Sequence, residues 1–310
     1  MKAFIAGHNG LVGSALVRNA PASFEILTAG RTELPLQDSN AVSKFLEMHK
    51  PDLIVLAAGR VGGIGANSSH QKDFLVENLT IQNNVITAAS KVGVPNLIFL
   101  GSSCIYPRLA PQPIQEESLM TGTLEPTNEG YALAKIAGIR LCKAIFEEEG
   151  LNYFSLMPTN LYGPHDNFDL KSSHLPAALM RRFHEAKVKG SKMVEIWGTG
   201  TPRREFMHSD DLANACWFMS GNQAGGELIN VGTGVDLRIS EFAQLMANVV
   251  GYQGKMTYDT ARPDGAPQKI LDVSKMKSLG WSSKIKLADG LQETYSWFKR
   301  ELEKGGVRGY

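Results

Sequence analysis

Three glycines punctuate the first strand-to-helix junction of the chain. Gly7-His8-Asn9-Gly10-Leu11-Val12-Gly13 separates the apolar run Lys2–Ala6 from the amphipathic run Leu11–Asn19. Glycines here permit a tight turn, close approach of the backbone to a pyrophosphate, and close helix–strand packing, and the helix N-terminus adds free N–H groups and a positive dipole end. A glycine triplet alone is weak evidence. In a strand–turn–helix context at the start of the chain it predicts a dinucleotide-binding turn. Such a turn belongs to an open parallel sheet, and the next residues supply one. Phe24–Thr28, Asp52–Ala57 and Asn96–Leu100 are short, nearly continuous apolar runs, as strands buried on both faces require. Between them lie helical stretches over Asp38–His49, with Asp38 as N-cap, and about Phe74–Val92. Strand–helix alternation of this kind builds a doubly wound α/β sheet.

Pro126 and Thr127 open a further helix running to about Glu149, and Tyr153–Met157 reads as the next strand. After Gly163 the texture turns irregular, around Pro164, Pro176, Gly190, Gly198, Gly200 and Pro202, before Glu227–Val231 returns to the sheet. The expected architecture is a Rossmann-type parallel sheet formed by residues 1–163 and 209–238. A smaller mixed α/β substrate domain follows from 164–208 and 239–310. With 310 residues and 43% hydrophobic content, the chain can bury both cores. The net charge of +1 argues against a nucleic-acid partner. The longest clean apolar run, Leu53–Ala58, falls far short of the ~20 residues that span a bilayer, so no membrane partner is expected. Three cysteines without metal-like spacing suit a reducing, cytoplasmic compartment. Cys142 and Cys216 lie in apolar stretches and read as core, and the scattered His8, His49, His70, His165, His184 and His208 form no metal pattern. Charge is uneven in one place: Lys171–Arg204 carries eight Lys or Arg against two Glu. That excess suits a phosphorylated small molecule, the alternative being a solvated helix face.

The loop after the second strand, Ala29-Gly30-Arg31-Thr32, offers Arg31 where NAD-specific sites usually carry an acid for the ribose 2′-hydroxyl. Arginine suits a 2′-phosphate, so NADP is the expected cofactor, an ordinary loop charge being the alternative. Tyr131-Ala132-Leu133-Ala134-Lys135 places Tyr131 and Lys135 one turn apart on one helix face. An ammonium near a phenol favours the phenolate, which predicts a lowered tyrosine pKa and a usable proton donor or acceptor. Gly101-Ser102-Ser103-Cys104 stands at the carboxyl end of the fourth strand, where open α/β sheets put their ligand crevice. Ser102 can give a second hydrogen bond to the same substrate oxygen.

Longer strings narrow the reading. They are Val61-Gly62-Gly63-Ile64, Gly101-Ser102-Ser103-Cys104-Ile105-Tyr106-Pro107 and Leu124-Glu125-Pro126-Thr127-Asn128-Glu129. To these add Met157-Pro158-Thr159-Asn160-Leu161-Tyr162-Gly163-Pro164-His165-Asp166-Asn167-Phe168 and Arg204-Glu205-Phe206-Met207-His208. In these strings the chain resembles, over nearly its whole length, the extended short-chain dehydrogenase/reductases that act on nucleotide sugars. Within them it is most similar to the epimerase-reductases of GDP-4-keto-6-deoxy sugars. The resemblance implies C3/C5 epimerisation of GDP-4-keto-6-deoxy-D-mannose, then NADPH-dependent reduction at C4 to GDP-L-fucose. Alternatives are a sister reaction leading to GDP-L-colitose or a GDP-6-deoxyheptose and, more remotely, NADP sensing without catalysis.

The resemblance also implies residue roles. Tyr131 would protonate the C4 oxygen, with Ser102 the second donor and Lys135 holding the nicotinamide ribose. Cys104 would be the base, as a thiolate of lowered pKa, and His174 the acid that returns a proton. The implied cofactor contacts run from Gly7, Asn9, Gly10, Leu11, Val12 and Gly13 through Arg31, with Asp38 near adenine. They continue over Leu56, Ala57, Ala58 and Gly59, then Leu100, Gly101 and Ser102, then Tyr131 and Lys135, and end at Pro158, Asn160, Leu161 and His174. Implied substrate contacts are Ser103, Asn160, Arg182, Trp197, Arg204 and Asp264, the last equally readable as a turn residue. A homodimer through Phe74–Val92 and Thr127–Glu149 is implied as well. Two positions depart from the family pattern. Asn9 stands where an arginine that reads the 2′-phosphate is common, and Gly130 stands where proline is expected, which would loosen the start of that helix.

Overall fold

A computed structural model describes residues 1–262 and 264–310. The first half alternates as the sequence predicts: β1 (Lys2–Ala6), α1 (Leu11–Arg18), β2 (Glu25–Leu27), α2 (Ser39–His49), β3 (Leu53–Leu56), α3 (Ile64–Ser69), α4 (Gln71–Val92), β4 (Asn96–Leu100), α5 (Glu129–Glu149) and β5 (Asn152–Pro158). The second half is β6 (Asn160–Tyr162), α6 (Leu175–Val188), β7 (Met193–Trp197), β8 (Arg203–His208), α7 (Ser209–Met219), β9 (Leu228–Val231), β10 (Asp236–Arg238), α8 (Ile239–Val250), β11 (Lys255–Asp259), β12 (Gln268–Lys269), α9 (Ser274–Ser278) and α10 (Leu287–Glu303).

Six strands form one all-parallel sheet in the order β2-β1-β3-β4-β5-β9. Every residue of β3 and β5 is buried, which explains the unbroken apolar sequence of β3 and the mainly apolar one of β5, where Asn152 and Ser155 are the polar exceptions. One face packs Phe4, Ile54, Leu97 and Phe99 against α2, α4 and α5. The other packs Ile5, Val55, Ile98 and Leu156 against α1 and α7. A third core around Phe168, Phe183, Phe206, Phe242 and Phe298 holds α6, α8 and α10 together.

The irregular stretch after Gly163 is more ordered than its composition suggests. β8 pairs with β10, β12 and β6, and β7 pairs in parallel with β11. These strands are two to six residues long, too short for period-two alternation to show. The helix ending at Val92 begins at Gln71, one turn earlier than expected, and α3 precedes it. Asp38 caps α2, accepting hydrogen bonds from Asn40 N at 2.9 Å and Ala41 N at 3.1 Å. Pro126–Asn128 form one tight 3-10 turn before α5.

The expected loosening at Gly130 does not occur. Its N–H donates to Gln71 Oε1 at 3.1 Å, and Gln71 Nε2 donates to the Pro126 carbonyl at 2.8 Å. A Cβ at position 130 would lie 2.6 Å from the Gln71 carbonyl oxygen, so the missing side chain lets the starts of α4 and α5 meet. Glycine tightens this junction.

Candidate active site

The order of the sheet reverses between β1 and β3, which makes a crevice beyond their carboxyl ends. Gly7 closes β1 with φ +93°, a conformation open to glycine, and a Cβ there would lie 2.7 Å from Ala58 N on the loop after β3. A Cβ on Gly13 would lie 2.1 Å from the Gly7 carbonyl oxygen, so α1 packs directly on its own turn. Gly10 caps α1 without a side-chain bond, and the first-turn N–H groups of Leu11, Val12 and Gly13 have no intrahelical acceptor. A bare backbone cradle at a helix N-terminus fits a pyrophosphate. Ala57, Ala58 and Gly59, half-buried on the loop after β3, form the facing wall, whereas Leu56 is wholly buried in the core beneath it. On the loop after β2, Arg31 and Asn9 on the neighbouring turn are both exposed, while Glu33 Oε2 is occupied by the Gly30 N–H at 2.7 Å.

The loop after β4 carries Gly101, Ser102, Ser103 and Cys104. Ser102 begins a 3-10 turn over Ser103–Ile105, with Cys104 N 3.5 Å from its hydroxyl oxygen. On α5, Tyr131 and Lys135 turn toward this loop. Lys135 is 4% exposed, and its ammonium donates to the Leu100 carbonyl at 2.8 Å, lies 4.7 Å from the Phe99 ring centre and 5.8 Å from that of Tyr131. Phe74 packs edge-on to Tyr131, with ring centres 6.2 Å apart. A Cβ on Gly59 would lie 3.9 Å from Lys135 Nζ, so the crevice wall after β3 reaches α5. Pro158, Asn160 and Leu161 end β5 and open β6 beside it.

Two electrostatic expectations are corrected. Tyr131 is not acidified: burial pushes its phenol well above the usual tyrosine range. The ammonium that should lower it spends its hydrogen bond on Leu100 and meets the Tyr131 ring, while its own pKa is pulled down to about 8 by burial. Cys104 is likewise pushed up, because burial outweighs the favourable charges of Lys269 and Lys135 and the hydrogen bond from Ser102. It therefore reaches the site as a thiol. His174 caps α6 and remains solvent-accessible, but the crowded walls around it hold its imidazole below the usual range, hence neutral at pH 7. The loop carrying His174 is moored to the Val61–Ile64 segment, where Gly63 N donates to the Ser172 carbonyl at 2.9 Å.

The remaining implied residues form a second group on the later strands. Trp197 ends β7 and is 47% exposed, with the guanidiniums of Arg182 and Arg262 at 5.0 and 4.9 Å from its ring centre. Asp264 accepts from Thr199 N at 2.7 Å and from Thr199 Oγ1 at 2.8 Å, so both its oxygens hold the turn beside Trp197. The turn reading of Asp264 thus has a concrete form. Arg204 lies on β8, and Asn160 Nδ2 donates to the Glu205 carbonyl at 2.9 Å. Sequence reasoning missed Arg262 and Lys269. β12 places Lys269 in register with Arg204, and Lys269 and Cys104 act on each other electrostatically. Only the pairing of β12 with β8 brings Lys269 here, and a two-residue strand leaves no periodic trace.

Comparison with known proteins gives this geometry a context. The sequence pattern of the NAD dependent epimerase/dehydratase family matches residues 3–232. The chain is 51% identical to GDP-L-fucose synthase 1 of Arabidopsis thaliana, over 97% of this chain and 94% of that protein. It is 50% identical to GDP-L-fucose synthase of Escherichia coli (strain K12), covering 98% of each. Among solved structures, a GDP-mannoheptose C4 reductase from Campylobacter jejuni with NADP bound is similar at a TM-score of 0.88 and 39% identity, over 96% of this chain and 98% of that one.

Proposed function

Because the chain belongs to the NAD dependent epimerase/dehydratase family, we propose that it is a bifunctional nucleotide-sugar epimerase-reductase that converts GDP-4-keto-6-deoxy-D-mannose to GDP-L-fucose with NADPH. One observation carries this reading: an overall identity of 50–51% to GDP-L-fucose synthases extends over 97–98% of the chain. Identity to the heptose reductase is 39%, which favours fucose over the sister sugars. Residues 1–163 and 209–238 carry the cofactor in this reading, and 164–208 with 239–310 take the sugar nucleotide. A homodimer is expected through the exposed side of α4 and α5. No described helix is long and apolar enough to cross a membrane.

NADPH, when bound, supplies hydride to C4. The Gly7–Gly13 turn and the 57–59 wall hold its pyrophosphate, and the exposed Arg31 suits the 2′-phosphate. Hydrogens on C3 and C5 are acidified by the C4 carbonyl, so Cys104 can remove them once ionised, helped by Lys269 and Lys135. His174 returns a proton to the sugar. Tyr131 and Ser102 then hydrogen-bond the C4 oxygen, and the high phenol pKa makes Tyr131 a proton donor at neutral pH. Trp197, Arg182 and Arg204 suit the base and diphosphate of the substrate.

The test is NADPH oxidation followed at 340 nm with GDP-4-keto-6-deoxy-D-mannose, with NMR of the sugar product. GDP-L-fucose is expected. Turnover confined to a GDP-4-keto-heptose would move the assignment to a sister reaction, and NADPH binding without turnover on either would leave a sensor.

A further inference from the structure

Glu205 is wholly buried in β8, and no basic side chain forms an ion pair with it among the described residues. Hydrogen-bond donors from two distant segments stand in for a counter-charge. Its Oε1 accepts from Thr233 N, from Gly234 N at 2.7 Å and from Thr233 Oγ1 at 3.2 Å, and its Oε2 accepts from Leu271 N at 3.0 Å. Its backbone carbonyl accepts from Thr159 Oγ1 at 3.2 Å and Asn160 Nδ2 at 2.9 Å. Gly232 is packed against the carboxylate so closely that a Cβ there would lie 2.3 Å from Oε1.

These bonds converge on the substrate end. Asn160 is fixed by the Glu205 carbonyl, and Arg204 is its chain neighbour. Lys269 lies in register with Arg204 and stands two residues before Leu271, whose N–H is held by the carboxylate. We propose that Glu205 is a positioning residue that sets Asn160, Arg204 and Lys269 in one geometry for the diphosphate-sugar, while the cofactor turn is built independently of it. This rests on the GDP-sugar reading above. A carboxylate is required because two oxygens must both accept: glutamine would turn an N–H toward either Leu271 N or the Thr233–Gly234 pair.

The test is calorimetric titration of the full chain with GDP and, separately, with NADPH. Glu205→Gln is expected to weaken GDP about tenfold, the loss that follows when a buried hydrogen-bond partner is left unmet, and to change NADPH less than about twofold. Steady-state KM for the GDP-sugar should rise more than kcat falls. Gly232→Ala, which keeps the carboxylate but displaces it, should give the same selective loss and carries the test if Glu205→Gln does not fold. Parallel weakening of both ligands would mark a general structural staple and overturn the proposal, as would unchanged GDP affinity. Wild type that binds NADPH but not GDP would instead overturn the GDP-sugar reading itself.

Discussion

The two ends of the crevice are made of different material. The end proposed for the cofactor is backbone: Gly7, Gly10 and Gly13 lie in one short stretch, and what matters at Gly7 and Gly13 is the absence of a side chain. The end proposed for the substrate is side chain, gathered from β6, α6, β7, β8 and the segment around β12, with the buried Glu205 carboxylate among its anchors. A Cβ would collide at Gly7 and Gly13, though not at Gly10, whereas a gathered site depends on distant partners remaining in register. The proposed catalytic residues belong to neither: Cys104 and Ser102 are on a strand-end loop, and Tyr131 and Lys135 on one helix face.

That division can be attacked at three places. The largest effect is expected in the middle. Tyr131→Phe should lower C4 reduction by about 10³-fold, within the range for losing a positioned proton donor, while deuterium from solvent still enters C3 and C5. Cys104→Ser should suppress both exchange and reduction. NMR of the recovered sugar reads the exchange, and full exchange in Cys104→Ser would remove Cys104 as the base. Because burial raises the Cys104 thiol, exchange should climb about tenfold per pH unit through neutrality in the wild type.

A middle-sized effect is expected at the backbone end. A Cβ on Gly13 would meet the Gly7 carbonyl at 2.1 Å, so Gly13→Ala must shift α1 or its turn. Overpacking of this kind costs about 1–3 kcal/mol, and NADPH affinity measured by fluorescence should fall about tenfold or more. GDP affinity should hold. Equal loss of both ligands would erase the distinction between the two ends.

The smallest effect belongs to the gathered side. Asp166 is 4% exposed, and burial raises its pKa from 3.8 to about 7. An acid whose folded pKa is raised destabilises the fold progressively as pH climbs from the unfolded value through the folded one. Asp166→Asn should therefore gain on the order of 2 kcal/mol in urea unfolding at pH 8 and almost nothing at pH 4. An equal gain at both pH values would mean that folding does not raise the Asp166 pKa.

The same contrast decides what could be read from the sequence. The glycine turn, the β1–β5 alternation and Tyr131 with Lys135 are local patterns, so spacing alone exposed them. Cys104 and His174 came through resemblance, because nothing in their spacing marks them out. Arg262 and Lys269 escaped altogether: they lie in a segment whose pairing with β7 and β8 no local periodicity announces. The two pKa directions failed for a related reason. Spacing puts Lys135 beside Tyr131, but only the packed structure shows its ammonium spent on the Leu100 carbonyl.

The junction of Gln71 with Gly130 bears on how this protein could be redesigned. The bare residue at 130 and the amide at 71 make one joint, stored 59 positions apart in the chain. A proline introduced at 130 would bring ring atoms toward the Gln71 carbonyl and remove the N–H that Gln71 Oε1 accepts. It would have to travel with a change at 71, so the smallest unit that can be exchanged at this joint is the contact itself.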